Sequence, residues 1–214
     1  MIVHLTSTAL KAALAAPLPG HEAFAALNGY PRNSPEDARK LTPPPKESAV
    51  LAVFHKYNGE DHLLLMRRTV YPGVHSGQIA FPGGKREPQD ADLQATALRE
   101  FAEETGADLS RVEVVGTLSS VFIPPSRTGV SPFVGWAVCL GRLRPDPREV
   151  AALLHVPLRE VLDPASLQHK LIQMATGHQA MAAYWHLNGE TVWGATALMI
   201  AELRAVLGAT LERP

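Results

Sequence analysis

Three glutamates, Glu100, Glu103 and Glu104, fall inside a segment from Leu93 to Thr105 whose apolar residues repeat with helical period. With Leu93 as the origin of a helical wheel and about 100° per residue, Ala97, Phe101, Leu98 and Ala102 span about 40° to about 180° and form the buried face. The three carboxylates share an arc of about 100° that borders this face instead of lying opposite it. Like charges at this spacing destabilise an isolated helix by a few tenths of a kcal/mol per pair, and partial burial raises both the repulsion and the carboxylate pKa values. Arg99, four residues before Glu103, offsets one of the three. A divalent cation offsets the rest, and all-oxygen ligation points to Mg²⁺ or Mn²⁺ before Ca²⁺. Most glutamate-rich helix faces are solvated charge runs. Two features separate this one from them. The arc contains no lysine, and a glycine-rich loop, Gly83-Gly84, precedes the helix and can bring backbone groups to a metal or phosphate.

Composition bounds what such a helix belongs to. The 214 residues are 46% hydrophobic and 19% charged, which excludes a disordered chain. A domain takes roughly 100–200 residues, so one domain with a small extension is expected. No run approaches the roughly 18 apolar residues of a membrane span. Twenty basic against 21 acidic residues argue against a general nucleic-acid or membrane-surface binder. The single cysteine, Cys139, excludes an internal disulfide and fits a reducing compartment; it reads as a core residue of an apolar strand. Met1 to Pro19 lacks the basic start of a secretion signal and carries Lys11 inside its apolar stretch, so it reads as a short surface helix. Pro31 to Ser48 is polar and proline-rich, a connection into the first core strand. The expected division is an extension over residues 1–45 and the domain proper over 46–210.

Along that domain, Ala49–His55 and His62–Met66 read as antiparallel strands around the Asn58-Gly59 turn. Val70 to Lys85 should be mostly loop, because it holds six Gly and Pro residues. Val112–Leu118 and Phe133–Leu140 read as strands, and Arg148–Leu154 as a helical turn leading into a short extended piece at His155–Leu158. A second hairpin is expected at Asn188-Gly189, between Met181–Leu187 and Glu190–Trp193. Ala195–Leu207 reads as a last helix, with Gly208 as its stop. Strands mixed with a few helices and joined mostly by hairpins suggest an α+β or α/β sandwich. No histidine pair has ligand spacing with a third partner, so a histidine metal site is not expected.

The stretch Arg99-Glu100-Phe101-Ala102-Glu103-Glu104-Thr105-Gly106-Ala107 resembles the second half of the Nudix box, R-E-U-x-E-E-x-G-U, at every fixed position. The first half departs from it. Gly84 is followed by five residues, then Asp90 where the general box has Glu, then eight residues where it has seven. That spacing is similar to the coenzyme A pyrophosphatase branch, whose upstream signature also ends in FPGG. Here Arg68, Gly77 and Phe81 to Gly84 match that signature, while Met66, Thr69 and Gly73 depart from it, Gly73 standing where a second arginine belongs. Trp193 to Ala197 also resembles the branch.

The resemblance implies a Nudix fold, a mixed β-sheet sandwiched between α-helices, and hydrolysis of a pyrophosphate with Mg²⁺ or Mn²⁺ as cofactor. It carries metal ligation to Glu100 and Glu104, with Glu103 and the Gly84 carbonyl as further ligands. Arg99 would orient Glu103, and Asp90 would be a helix N-cap. Glu103 is the first candidate for general base and Glu149 the second, although an ordinary helix-start glutamate reads equally well at Glu149. A coenzyme A substrate carries a 3′-phosphate, for which Arg68, Arg67, Lys85, Arg86, Arg127 and His75 are the nearby cationic or polar candidates. The implied products are 3′,5′-ADP and 4′-phosphopantetheine. An ADP-ribose or nucleotide-sugar pyrophosphatase needs the same helix without FPGG. A non-catalytic nucleotide-binding module comes last, because all three carboxylates are present. The expected partner is a small molecule, with no nucleic acid or membrane, on a monomer or homodimer. The chain ends without a Ser-Lys-Leu address, so a cytoplasmic location is expected.

Overall fold

The computed structural model describes residues 5–21, 24–25, 35–73, 75–173 and 179–211. Helices α1 (Ser7–Leu14) and α2 (Pro35–Arg39) precede the long strand β1 (Lys46–Tyr57). The Asn58-Gly59 turn, with both residues at positive φ, reverses the chain into β2 (Glu60–Arg68). Two short strands follow, β3 (Ile79–Ala80) and β4 (Gly83–Lys85), then the glutamate helix α3 (Leu93–Thr105). Next come β5 (Glu113–Thr117), β6 (Val121–Ile123), β7 (Thr128–Ala137), β8 (Val150–Pro157) and the short helix α4 (Leu158–Leu162). The chain continues through β9 (Leu167–Gln173), β10 (Gln179–Leu187), β11 (Glu190–Val192) and the final helix α5 (Gly194–Leu211).

Strands β1 to β8 form one mixed sheet, in which β1 and β7 run parallel and every other pair is antiparallel. Alternation along the central strands divides the core in two. Leu51, Val53 and Leu64 pack with Ala97 and Phe101 of α3 on one face. Ala52, Phe54, Leu63 and Leu65 pack on the other with Leu10 of α1 and Ile200, Leu203 and Leu207 of α5. The mixed sheet between helices is therefore as expected. Strands β9 to β11 make a separate antiparallel sheet, with the second hairpin turning at Asn188-Gly189.

One irregularity positions the site. One edge of β1 is filled by β7, so β2 and β4 share the other: β2 pairs with Phe54–Tyr57 and β4 with Ser48–Val50. One edge of β2 is filled by β8, so β1 and β3 share its other edge. The hairpin thus opens into a fork, and the Phe81-Pro82-Gly83-Gly84 loop is wedged into it. The Leu51 amide donates to the Pro82 carbonyl at 2.9 Å.

Three readings change. Arg148–Leu154 is not a helical turn: a turn closes on Asp146, and Val150 begins β8, because the free edge of β2 supplies a strand partner from His62 to Arg68. The last helix runs through Gly208 to Leu211. A glycine stop needs positive φ, and Gly208 is not among the residues that adopt it. Cys139 is exposed, not buried, because β7 ends two residues earlier at Ala137.

Candidate active site

Helix α3 is capped at its start by Asp92, whose side chain accepts from the Ala95 amide, and at its end by Gly106 in the left-handed conformation. Asp90 is therefore not the N-cap. It is buried, accepts from Thr96 Oγ1 and the Glu87 amide at 2.9 Å each, and holds Arg99 through both carboxylate oxygens at 2.9 Å. The Arg99 hydrogen bond is the main reason that Asp90 is held well below the usual carboxylate range, and Asp90 in turn raises Arg99. Arg99 distributes its remaining donors to Glu100 Oε1 and Glu103 Oε2 at 3.1 Å and to the Lys85 carbonyl at 3.0 Å. One guanidinium thus ties the helix N-terminal approach, the glycine loop and two of the three glutamates together.

Glu104 lies deeper than a wheel suggests, at 2% exposure. Its Oε2 accepts from the Gly83 amide at 2.7 Å, and its Oε1 faces Arg68 Nη1 at 3.4 Å. Burial pushes its carboxyl up to about 8, against the opposing pull of the Gly83 amide and Arg68. Burial also raises Glu100, against the pull of Arg99. A Cβ on Gly84 would land on the Glu100 carboxylate. Ser48 Oγ donates to the Gly84 carbonyl at 2.5 Å and fixes its direction.

Glu149 reaches this group from the turn before β8. Its Oε2 lies 3.9 Å from Arg68 Nη2, and its charge contributes to the raised pKa of both Glu100 and Glu104. The structure therefore gathers Glu100, Glu104, Glu149, Arg68, Arg99 and Gly84. Glu103 sits at the solvent edge with its side chain 61% exposed. Lys85 is exposed beside Gly84. The other candidates face different partners: Arg67 pairs with Glu190, Arg127 donates to the Pro43 carbonyl at 2.7 Å, and His75 Nδ1 contacts Gln78 Oε1 at 3.1 Å. Arg86 pairs with Glu47 at 3.0 Å. Sequence reasoning missed Ser48, which no motif marks, and the clamp role of Asp90, for which its displaced box position was the available signal.

Residues 45–175 match the NUDIX domain. A relative from Photorhabdus laumondii, described as an uncharacterized Nudix hydrolase NudL, is 35% identical over 175 residues, covering 77% of this chain and 90% of the relative. The NudL of Yersinia pestis is 38% identical over 147 residues, covering 67% of this chain and 71% of its own. The Nudix hydrolase RenU of M. smegmatis shares the fold, with a TM-score of 0.53 and 20% identity over 77% of this chain and 86% of that one. A glutamate helix facing a glycine loop across a forked hairpin defines, with these matches, a hydrolase of the pyrophosphatase class. The chain belongs to the Nudix family.

Nudix hydrolases generally use divalent metals such as Mg²⁺ or Mn²⁺. The donor set fits such an ion: two carboxylates whose charged form burial disfavours, beside the Gly84 carbonyl, which accepts one bond from Ser48 and keeps a second lone pair. Among the described residues, no three His, Cys, Asp or Glu side chains converge closely enough to form a complete cage. Mg²⁺ needs none, since it is usually held by one or two carboxylates and keeps several waters.

Proposed function

We propose that the chain hydrolyses the pyrophosphate of coenzyme A or its derivatives, giving 3′,5′-ADP and 4′-phosphopantetheine. The observation that carries this reading is the fork itself. It takes the signature residues, Arg68 at one arm and Phe81 to Gly84 between the arms, and brings them against the box glutamates. Arg68 and the Gly83–Gly84 backbone thus stand where the diphosphate must lie if the glutamates hold the metal.

In this reading Glu100, Glu104 and the Gly84 carbonyl hold Mg²⁺ or Mn²⁺, with Glu103 able to join at the solvent edge. The bound ion supplies neutralisation of the diphosphate and activation of water. Arg99 and Asp90 keep Glu100 and Glu103 in place, an outer layer that orients ligands. Glu149 takes the proton of the attacking water. It is preferred to Glu103 because Arg99 donates a hydrogen bond to Glu103 at 3.1 Å, whereas Glu149 approaches Arg68 only at 3.9 Å, beyond hydrogen-bond length. Arg68 and Lys85 receive the negative charge of the substrate. Arg67, Arg127 and His75 remain candidates for its outlying groups, after exchange of their present partners. The domain that does this spans residues 46–210, behind an extension of residues 1–45.

The test is product analysis. With Mg²⁺ or Mn²⁺ present, coenzyme A should yield 3′,5′-ADP. Turnover of ADP-ribose with no 3′,5′-ADP from coenzyme A replaces this reading with that of an ADP-ribose or nucleotide-sugar pyrophosphatase. Glu149→Gln should remove the low-pH limb of the pH–rate profile, where protonation disables a general base, and an unchanged profile returns the role to Glu103.

A further inference from the structure

Beyond the end of α3, the same sheet face carries a group of imidazoles that the hydrolytic site does not use. His55 of β1 is paired in register with His62 of β2, and Leu64 of β2 with His155 of β8. Three strands therefore bring together residues that are distant in sequence. The His55 and His155 ring centroids are 5.0 Å apart, and His155 Nδ1 lies 3.1 Å from His55 Nε2. Tyr57 stacks on His155 at 4.1 Å with 7° between the planes, which fixes that ring. His55 Nδ1 faces the Lys56 carbonyl at 3.3 Å. An N–H there leaves Nε2 with its lone pair directed at His155. Beside the pair is a cavity of about 370 Å³, lined by His55, Tyr57, Cys139, Leu143, Leu153 and His155 among others. Lys56, also on its wall, is neutralised by Asp61 at 2.9 Å.

We propose that His55 Nε2 and His155 Nδ1 chelate a second cation, a borderline transition metal of the Ni²⁺, Cu²⁺ or Zn²⁺ class, separate from the glutamate site. Two nitrogens each about 2.0–2.1 Å from a metal stand about 2.9 Å apart at a right angle and about 3.3 Å apart at the tetrahedral angle. The observed 3.1 Å falls between these. The carbonyl behind His55 is the outer contact that fixes the tautomer of a ligating histidine. Both rings are available: burial, and the neighbouring imidazoles, hold His55 down at about 4 and lower His155, so each is neutral at neutral pH. Binding requires that the proton between the rings move from His155 Nδ1 to its Nε2, with no net change in protonation. Imidazole favours these metals, whereas Mg²⁺ prefers oxygen, so the two sites sort their ions by chemistry. With no third side chain converging among the described residues, the open positions go to water or to a ligand group entering the cavity.

The test is a calorimetric titration of the untagged full chain with Ni²⁺ in saturating Mg²⁺. One equivalent should bind. His155→Gln should weaken it by more than about tenfold, the scale on which even outer-layer partners matter, while Glu100→Gln leaves it unchanged. No binding in Mg²⁺, or equal binding by His155→Gln, overturns the proposal. Should that variant fail to fold, the wild-type ring-nitrogen NMR spectrum with Zn²⁺ decides. His55 Nε2 and His155 Nδ1 should both shift, and unmoved resonances overturn the site.

Discussion

Glu104 is a buried acid whose proton is coupled to folding and, under the proposed ligation, to metal. Its folded pKa of about 8 lies above the ordinary 4.5, so without metal the folded chain holds a proton that the unfolded chain releases. Its contribution to stability is therefore full below about pH 4.5, falls as pH rises and is lost once pH passes about 8. Metal binding needs the carboxylate, so the gain in Tm on adding Mg²⁺ should be larger at about pH 8 than at about pH 6. Thermal scans with and without Mg²⁺ check this, and equal gains at both would contradict it. Glu104→Gln should abolish the Mg²⁺ gain at either pH. Asp90 is the second case. Asp90→Asn leaves Arg99 without its main anion, and activity should fall about 10- to 100-fold while the chain stays folded. Asp90→Glu recovering full activity would show that the clamp tolerates length and only charge matters. Sequence placed Glu104 at the border of the buried face. It could not show that the side chain caps an amide 21 residues away, since that contact exists only once the loop enters the fork.

The fork is the element on which the site depends, and its two glycines play different parts. A Cβ on Gly83 would meet the Ala49 carbonyl and lie 2.6 Å from Val50 Cα, both unyielding backbone atoms, at a φ of +155°. Gly83→Ala should therefore fold poorly, with a loss of soluble yield or a sharply lowered Tm. At Gly84 the obstructing group is the end of the Glu100 side chain, which can swing away. Gly84→Ala should keep its Tm within a few degrees yet lose about 100-fold or more in kcat, because it displaces a group that must be positioned to within a fraction of an ångström. Circular dichroism melts beside steady-state rates separate the two outcomes. The hairpin was legible because Asn58-Gly59 sits between apolar runs. The fork was not, because β3 and β4 are two and three residues long and carry no periodicity. The same limit explains β8. Val150 to Leu154 is a helix or a strand by local pattern, and the open edge of β2 decides. The imidazole pair has no local signal at all, since register across three strands creates it.

At the scale of the whole molecule, the sandwich architecture was readable from short apolar strands joined by hairpins and mixed with a few helices, but the depth to which the first 45 residues join it was not. Leu10 of α1 is fully buried in the core that α5 covers, and the Leu5 amide donates to Asp61 at 2.8 Å. Further along the chain, Gly20 is tied down by Glu202, a carboxylate 1% exposed in the middle of α5. Glu202 accepts from the Gly20 amide at 2.9 Å, the Ser119 amide at 2.8 Å and Ser119 Oγ at 2.6 Å. A single acidic residue thus joins the N-terminal segment, the β5–β6 turn and the last helix. Glu202→Ala would leave two backbone donors without their acceptor and should cost on the order of 3 kcal/mol. In a chain of this size that lowers Tm by about 6–12 °C. Because α5 lies on the face of the sheet opposite α3, kcat measured well below the transition should stay at the wild-type value. A full-strength Tm would mean that water replaces the carboxylate at little cost. A lowered kcat in a folded Glu202→Ala protein would mean instead that the two faces communicate through the mixed sheet that lies between the two helices.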